Sequence, residues 1–155
     1  MPNAVLIEEF EAIKTEIIAL YDAKGMRASG DFANSLQVIA NGENSVKLIG
    51  NDYAVQLEQG RGAGTFPPIK AIEKWIEDKG VFATVLNDIK LSSLAFLIAR
   101  KIAKEGWGRK DKGGVELISS VITDQRIQKI IDRVGAVETI KFSNELINML
   151  QSIAV

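Results

Sequence analysis

An α+β fold is predicted for this chain. Apolar residues recur at helical spacing near both ends of the sequence, while within residues 36–50 Leu36, Val38 and Ala40 alternate with Gln37 and Ile39, and Val46 and Leu48 with Lys47 and Ile49, around an Asn-Gly turn. At 155 residues the chain fits one domain spanning 1–155, and a chain of this length buries roughly 70% of the surface its unfolded form exposes. The expected order is an N-terminal helix, a small antiparallel sheet and then several helices packed on it.

The elements follow from spacing and punctuation. Leu6, Phe10, Ile13, Ile17 and Leu20 fall in one helical stripe, with Glu8, Glu9 and Glu11 early and Lys24-Gly25 at the stop. Gly25 to Asp31 breaks any period and is expected to be loop, with order resuming at Leu36. Leu36, Val38 and Ala40, the turn Asn41-Gly42-Glu43-Asn44, then Val46 and Leu48 predict a β-hairpin. Tyr53 to Glu58 fits either a third strand or a short helix. Pro68 to Lys79 is helical, with Ile69, Ile72, Trp75 and Ile76 inward and Gly80 past the end. A longer helix is expected from Asn87-Asp88 to Glu105, with Leu91, Leu94, Ala95, Ile98 and Ile102 on one face and Gly106-Trp107-Gly108 as its stop. Ile118 to Val134 reads as one helix or two, with Thr123-Asp124 as a cap and Gly135 as a stop. After that, Val137 to Phe142 favours a strand, whereas Leu146, Ile147 and Leu150 favour a closing helix.

Composition narrows the chemistry. Nineteen Lys and Arg nearly balance 20 Asp and Glu, so no global field draws the chain to nucleic acid or anionic lipid. It has no cysteine and no histidine. That removes thiolate nucleophiles, sulfur- or imidazole-ligated metals and the Ser-His-Asp arrangement, and neither a catalytic residue, a cofactor nor a metal is expected. The longest apolar run, Leu94 to Ala99, is far short of a bilayer span. With no signal-like N-terminus either, secretion and membrane insertion are not expected.

Four features invite a functional reading. Gly60-Arg61-Gly62-Ala63-Gly64-Thr65-Phe66-Pro67-Pro68 leads into a helix start, where backbone N–H groups can cradle phosphate. Yet it has neither a Gly-Lys-Ser/Thr ending nor dinucleotide-type glycine spacing, so a turn or a loop docking on another subunit is favoured. The carboxylates Glu8, Glu9, Glu11, Glu73, Glu77 and Asp78 are read as solvated helix faces, with Glu73 and Glu77 beside Lys70 and Lys74. Arg100, Lys101, Lys104, Arg109, Lys110 and Lys112 form a basic run that suits a helix end or contact with DNA or an acidic partner. Trp75 is expected in the core, and Trp107, between glycines, in a partner contact.

Taken in order, Tyr53-Ala54, Leu57-Glu58-x-Gly60-Arg61-Gly62, Phe66-Pro67-Pro68, Ile72 and Trp75 before Lys79-Gly80, and Ala95, Ile98-Ala99 and Ile102 before Gly106 resemble the head-tail joining, or tail-completion, proteins of long-tailed bacteriophages. The resemblance covers about a third of the chain, and the Arg-Pro-Phe type segment of many relatives is replaced by Trp107 to Lys112. It implies a non-catalytic virion protein made in the host cytoplasm. Such a protein forms a homo-oligomeric ring with neighbouring neck and tail proteins, and DNA passes through it without sequence-specific contact. A head-closure or tail-terminator role at the same junction is the nearest alternative. By resemblance Glu58, Gly60, Arg61, Gly62, Phe66, Pro67 and Pro68 make the docking loop. From the residues alone, Trp107 joins that interface, while Lys104, Arg109, Lys110 and Lys112 are candidates for DNA or an acidic surface, the basis of a rival reading as a nucleic-acid-binding module.

Overall fold

The computed structural model describes residues 3–80, 89–108 and 115–153. Helix α1, Ala4–Ala23, starts at Asn3, whose Oδ1 accepts hydrogen bonds from the Val5 and Leu6 N–H groups. It ends where Gly25 takes a positive φ of 64°. Its inward line is Ile13, Ile17 and Tyr21, four residues apart and all buried. The stretch expected to stay irregular up to Leu36 instead contains a five-residue helix, α2, Asp31–Ser35. Its Phe32 is only 1% exposed and stacks obliquely on Tyr21 with ring centroids 4.8 Å apart. One aromatic in a Gly/Ser-rich segment gives no period to read, so the core position was invisible to pattern alone.

Strands β1, Gln37–Ala40, and β2, Val46–Ile49, form the expected antiparallel hairpin with Val38 opposite Leu48 and Ala40 opposite Val46. Leu48 joins the cluster of Ile13, Ile17, Tyr21, Phe32, Leu36, Leu57 and Leu117. The ambiguous segment after the hairpin is a helix, α3, Ala54–Gln59, which aims Leu57 into that cluster.

Helices α4, Ile69–Lys79, and α5, Leu91–Glu105, build a second apolar cluster. Ile72 and Ile76 of α4 meet Ala95 and Ala99 of α5, where the small side chains let the helices approach closely. Trp75 does not join them: it is 44% exposed, because the inward line is set by Ile72 and Ile76 and leaves Trp75 about 100° away from Ile76. Lys74 pairs with Asp78 at 2.6 Å rather than with Glu73 or Glu77. The expected start of α5 at Asn87-Asp88 falls outside the described residues.

The last element is one continuous helix, α6, Asp124–Ile153. Thr123 caps it, accepting from the Arg126 N–H at 3.2 Å. It runs through Gly135, so neither the stop there nor the strand at 137–142 exists; a lone glycine costs a helix only about 1 kcal/mol. The helix lies antiparallel to α1, with Arg126 on Glu16 and Glu9, Arg133 on Glu9 and Glu8, and Asn3 donating to Glu138. None of its residues is fully buried. Among the described residues, no helix is long and apolar enough to cross a membrane. Phe32→Ala is expected to cost about 3–5 kcal/mol through the cavity it leaves, read as a lower urea midpoint with the cooperativity of the transition retained.

Candidate functional site

Two helices end in the same way. α3 stops at Gly60, with φ 76° and ψ −173°, and α5 stops at Gly106, with φ 80° and ψ −174°, a region only glycine occupies readily. Each glycine turns the chain into the next residue, and those residues pair: Arg61 N–H donates to the Trp107 carbonyl at 2.5 Å and Trp107 N–H to the Arg61 carbonyl at 2.7 Å. The approach is so close that a Cβ on Gly106 would run into the Arg61 carbonyl oxygen. The sequence carried a signal for this pairing in its two Gly-X-Gly triplets, Gly60-Arg61-Gly62 and Gly106-Trp107-Gly108, each just past a helix.

The pairing organises the loop that follows. Gly64 N–H donates to the Ala103 carbonyl at 2.8 Å, and Arg61 Nη2 donates to the Thr65 carbonyl at 2.8 Å, closing the loop on itself. Phe66 lies against Phe96 of α5 with centroids 5.6 Å apart, both rings half-exposed. Pro67 is buried and Pro68 precedes α4 in extended backbone. Gly60, Arg61, Gly62, Phe66, Pro67, Pro68 and Trp107 are thus brought together as one rim.

Glu58 is committed within the chain. Its carboxylate accepts from the Ile118 N–H at 2.7 Å and the Ser119 N–H at 3.0 Å, and the Leu57 carbonyl accepts from Val115 N–H at 2.7 Å. These bonds fasten a turn that includes Glu116, whose φ is 50°, to the end of α3. Lys104 is exposed on the last turn of α5. Arg109, Lys110 and Lys112 lie outside the described residues.

Between the rim and α1 lies a cleft of about 1310 Å³. One wall is Tyr53 and Leu57 of α3's segment, the other Ile72, Trp75, Ile98 and Ile102 of α4 and α5, and the turn after α1 forms the floor. Lys79 Nζ donates to the Gly25 carbonyl and ties the two sides together at one edge. Partial burial, and after it the neighbouring Tyr21 hydroxyl, pushes the Tyr53 phenol well above the usual tyrosine range. The hydrogen bond to Asp78 raises the Lys74 pKa and holds that cation charged. Among the described residues, no three Asp or Glu side chains gather as a metal site. A cleft of this size, with apolar and aromatic surface interleaved with polar side chains, has the amphipathic character of a surface that holds another chain.

Alanine at Gly60 is expected to cost about 1–3 kcal/mol, the strain of that backbone region, and alanine at Gly106 more than that, because its Cβ would also collide with the Arg61 carbonyl oxygen. Hydrogen exchange is the check: the Arg61, Gly64 and Trp107 amides are expected to exchange faster than in the unsubstituted chain, while the amides within α4 and α5 keep their protection. No protein-family model, curated protein or solved structure matches the chain.

Proposed function

We propose that this chain is a non-catalytic structural subunit of the head-tail junction of a long-tailed bacteriophage, assembling as a ring between neck and tail tube. The observation that carries the reading is the rim: a glycine- and proline-rich loop held in one conformation by three backbone hydrogen bonds while Phe66, Trp107 and the nearby Trp75 stay partly exposed. A preformed loop loses little conformational entropy on docking, and aromatic side chains at its edge supply buried area when a neighbour arrives. The residues behind the sequence resemblance, Tyr53 to Gly108, are those that build this rim and the α4–α5 wall of the cleft. In this reading the docking role belongs to Arg61, Gly62, Phe66 and Trp107, while Glu58, Gly60 and Pro67 hold the rim in shape. A head-closure or tail-terminator position would use the same surface.

The reading as a nucleic-acid-binding module draws on Arg100 and Lys104, both exposed on α5 and in no ion pair among the described residues. Inside a ring such cations would face DNA phosphates without reading sequence, so the observation fits the junction as well.

Mass spectrometry of purified particles from the genome that carries this gene is expected to find the chain at several copies per particle, and its absence would end the reading. Replacing both Arg61 and Trp107 by Ala is expected to leave heads filled and tails complete but unjoined, counted by negative-stain microscopy.

A further inference from the structure

α6 outruns its support. Near the start of α1 it is held by the hydrogen bond from Asn3, the residue that caps α1, to Glu138. Residues 139–153 therefore project roughly 22 Å beyond the domain. Every one of them is exposed, including Phe142 at 66% and Ile153 at 74%. Phe142, Leu146, Met149 and Ile153 are spaced four, three and four apart, which places them in one stripe, and Leu150 widens it. A free helix of this length is marginal in water, since most helical stability comes from packing of the apolar face.

The cleft lies at the other end of α1. Tyr21, Gly25 and Met26 line it, whereas the projection leaves from Asn3, about 30 Å away along the helix. One copy cannot fill its own cleft. We infer that residues 139–153 of one copy dock in the cleft of a second copy, giving a head-to-tail contact between identical chains. This deepens the ring proposed above and rests on the chain being a self-assembling subunit, not on which particle it serves.

Size, surface and charge agree. At about 1310 Å³ the cleft exceeds the roughly 300–1,000 Å³ of small-molecule sites. Tyr53, Leu57, Ile72, Trp75, Ile98 and Ile102 give it apolar and aromatic surface, with polar side chains such as Asn51, Gln56, Lys101 and Glu105 between and around them. That suits an amphipathic helix laid in a groove through residues three and four apart. Lys141 and Glu145 are the only charged residues of the projection, so nothing opposes burial of its stripe. Glu145 borders the stripe, and Lys101 at the cleft has no carboxylate partner among the described residues. A symmetric pairing of two projections would cover the stripes but leave both clefts open. A heterologous contact fills both and, repeated, closes a ring when the rotation between copies allows.

The test uses the full-length chain and light-scattering mass after size exclusion. A helix variant carries Phe142→Glu with Met149→Glu. Two cleft variants carry Trp75→Glu or Ala71→Trp, both at exposed positions. Circular dichroism confirms helicity, and Ala71→Trp serves if Trp75→Glu disturbs α4. The wild type is expected to gain mass with concentration, and each variant alone to remain at 16.9 kDa. The helix variant mixed with a cleft variant should stop at twice that mass, because only one intact contact remains. A wild type that stays monomeric, cleft variants that associate like the wild type, or a mixture that does not pair would each overturn the inference. Absence from phage particles would defeat the junction reading and leave this result standing.

Discussion

The antiparallel pairing of Arg61 with Trp107 is the constraint on which the rest of the structure turns. The hairpin and α1–α3 surround one apolar cluster, and α4 and α5 surround another. The chain crosses between them just after α3 and returns just after α5, and at both crossings a glycine in the same uncommon conformation delivers the pairing residue. Two clusters joined by surface loops alone would hinge freely. Joined by a reciprocal pair of backbone hydrogen bonds, they keep a fixed gap, and that gap is the cleft. The glycines matter here for what they exclude: a side chain at Gly106 would occupy the space of the Arg61 carbonyl and force the clusters apart.

How α6 is attached contrasts with this. It touches α1 through Arg126 and Arg133, seven residues apart, which meet Glu16, Glu9 and Glu8 on a helix running the other way. The hydrogen bonds to Glu9 and then Glu8 raise the Arg133 pKa, so this cation stays charged at any pH the fold tolerates. Exposed pairs of this kind contribute little stability each, but they fix direction and register. Ile130 adds an apolar contact to the first cluster, and Asn3 ties α6 to the start of α1 and, through its own N–H and the Glu43 carbonyl, to the hairpin turn. The direction so fixed sends residues 139–153 away from the domain.

Elements with a strong period and clear punctuation were legible in the sequence: α1 with Gly25, the hairpin around Asn41-Gly42, and α4 between Pro68 and Gly80. What escaped was set by tertiary context. Phe32 is a core residue because Tyr21 and Leu57 close over it, and no local pattern in a Gly/Ser-rich stretch announces that. Trp75 has the spacing of an inward residue, but Ile72, Ile76 and the alanines of α5 already fill the interface. The composition of Val137 to Phe142, with Val137, Thr139, Ile140 and Phe142, favours a strand only if a sheet edge is there to receive it, and the helical continuation from Thr123 wins instead. For the rim, glycine and proline content showed that the loop was special. It did not show that Glu58 holds the turn at 115–119 from inside, because a carboxylate aimed at backbone N–H groups leaves no spacing signature.

Stability and assembly are linked through α6. A helix in which no residue is fully buried gains little from its own domain, while its apolar stripe gains each time it is covered, since burying a large aliphatic or aromatic side chain is worth about 1.5–3 kcal/mol. A partner that binds only the ordered helix raises the stability of that helix by mass action. The cleft has the matching property: its walls are already held apart by the Arg61–Trp107 pair and need no opening before a helix enters. In the proposed contact one partner would be preformed and the other ordered by docking, so the entropy lost on association would fall on a single helix. With donor and acceptor at opposite ends of α1, each copy docked in this way would present a fresh cleft or a fresh helix to the next, and growth would stop only at ring closure.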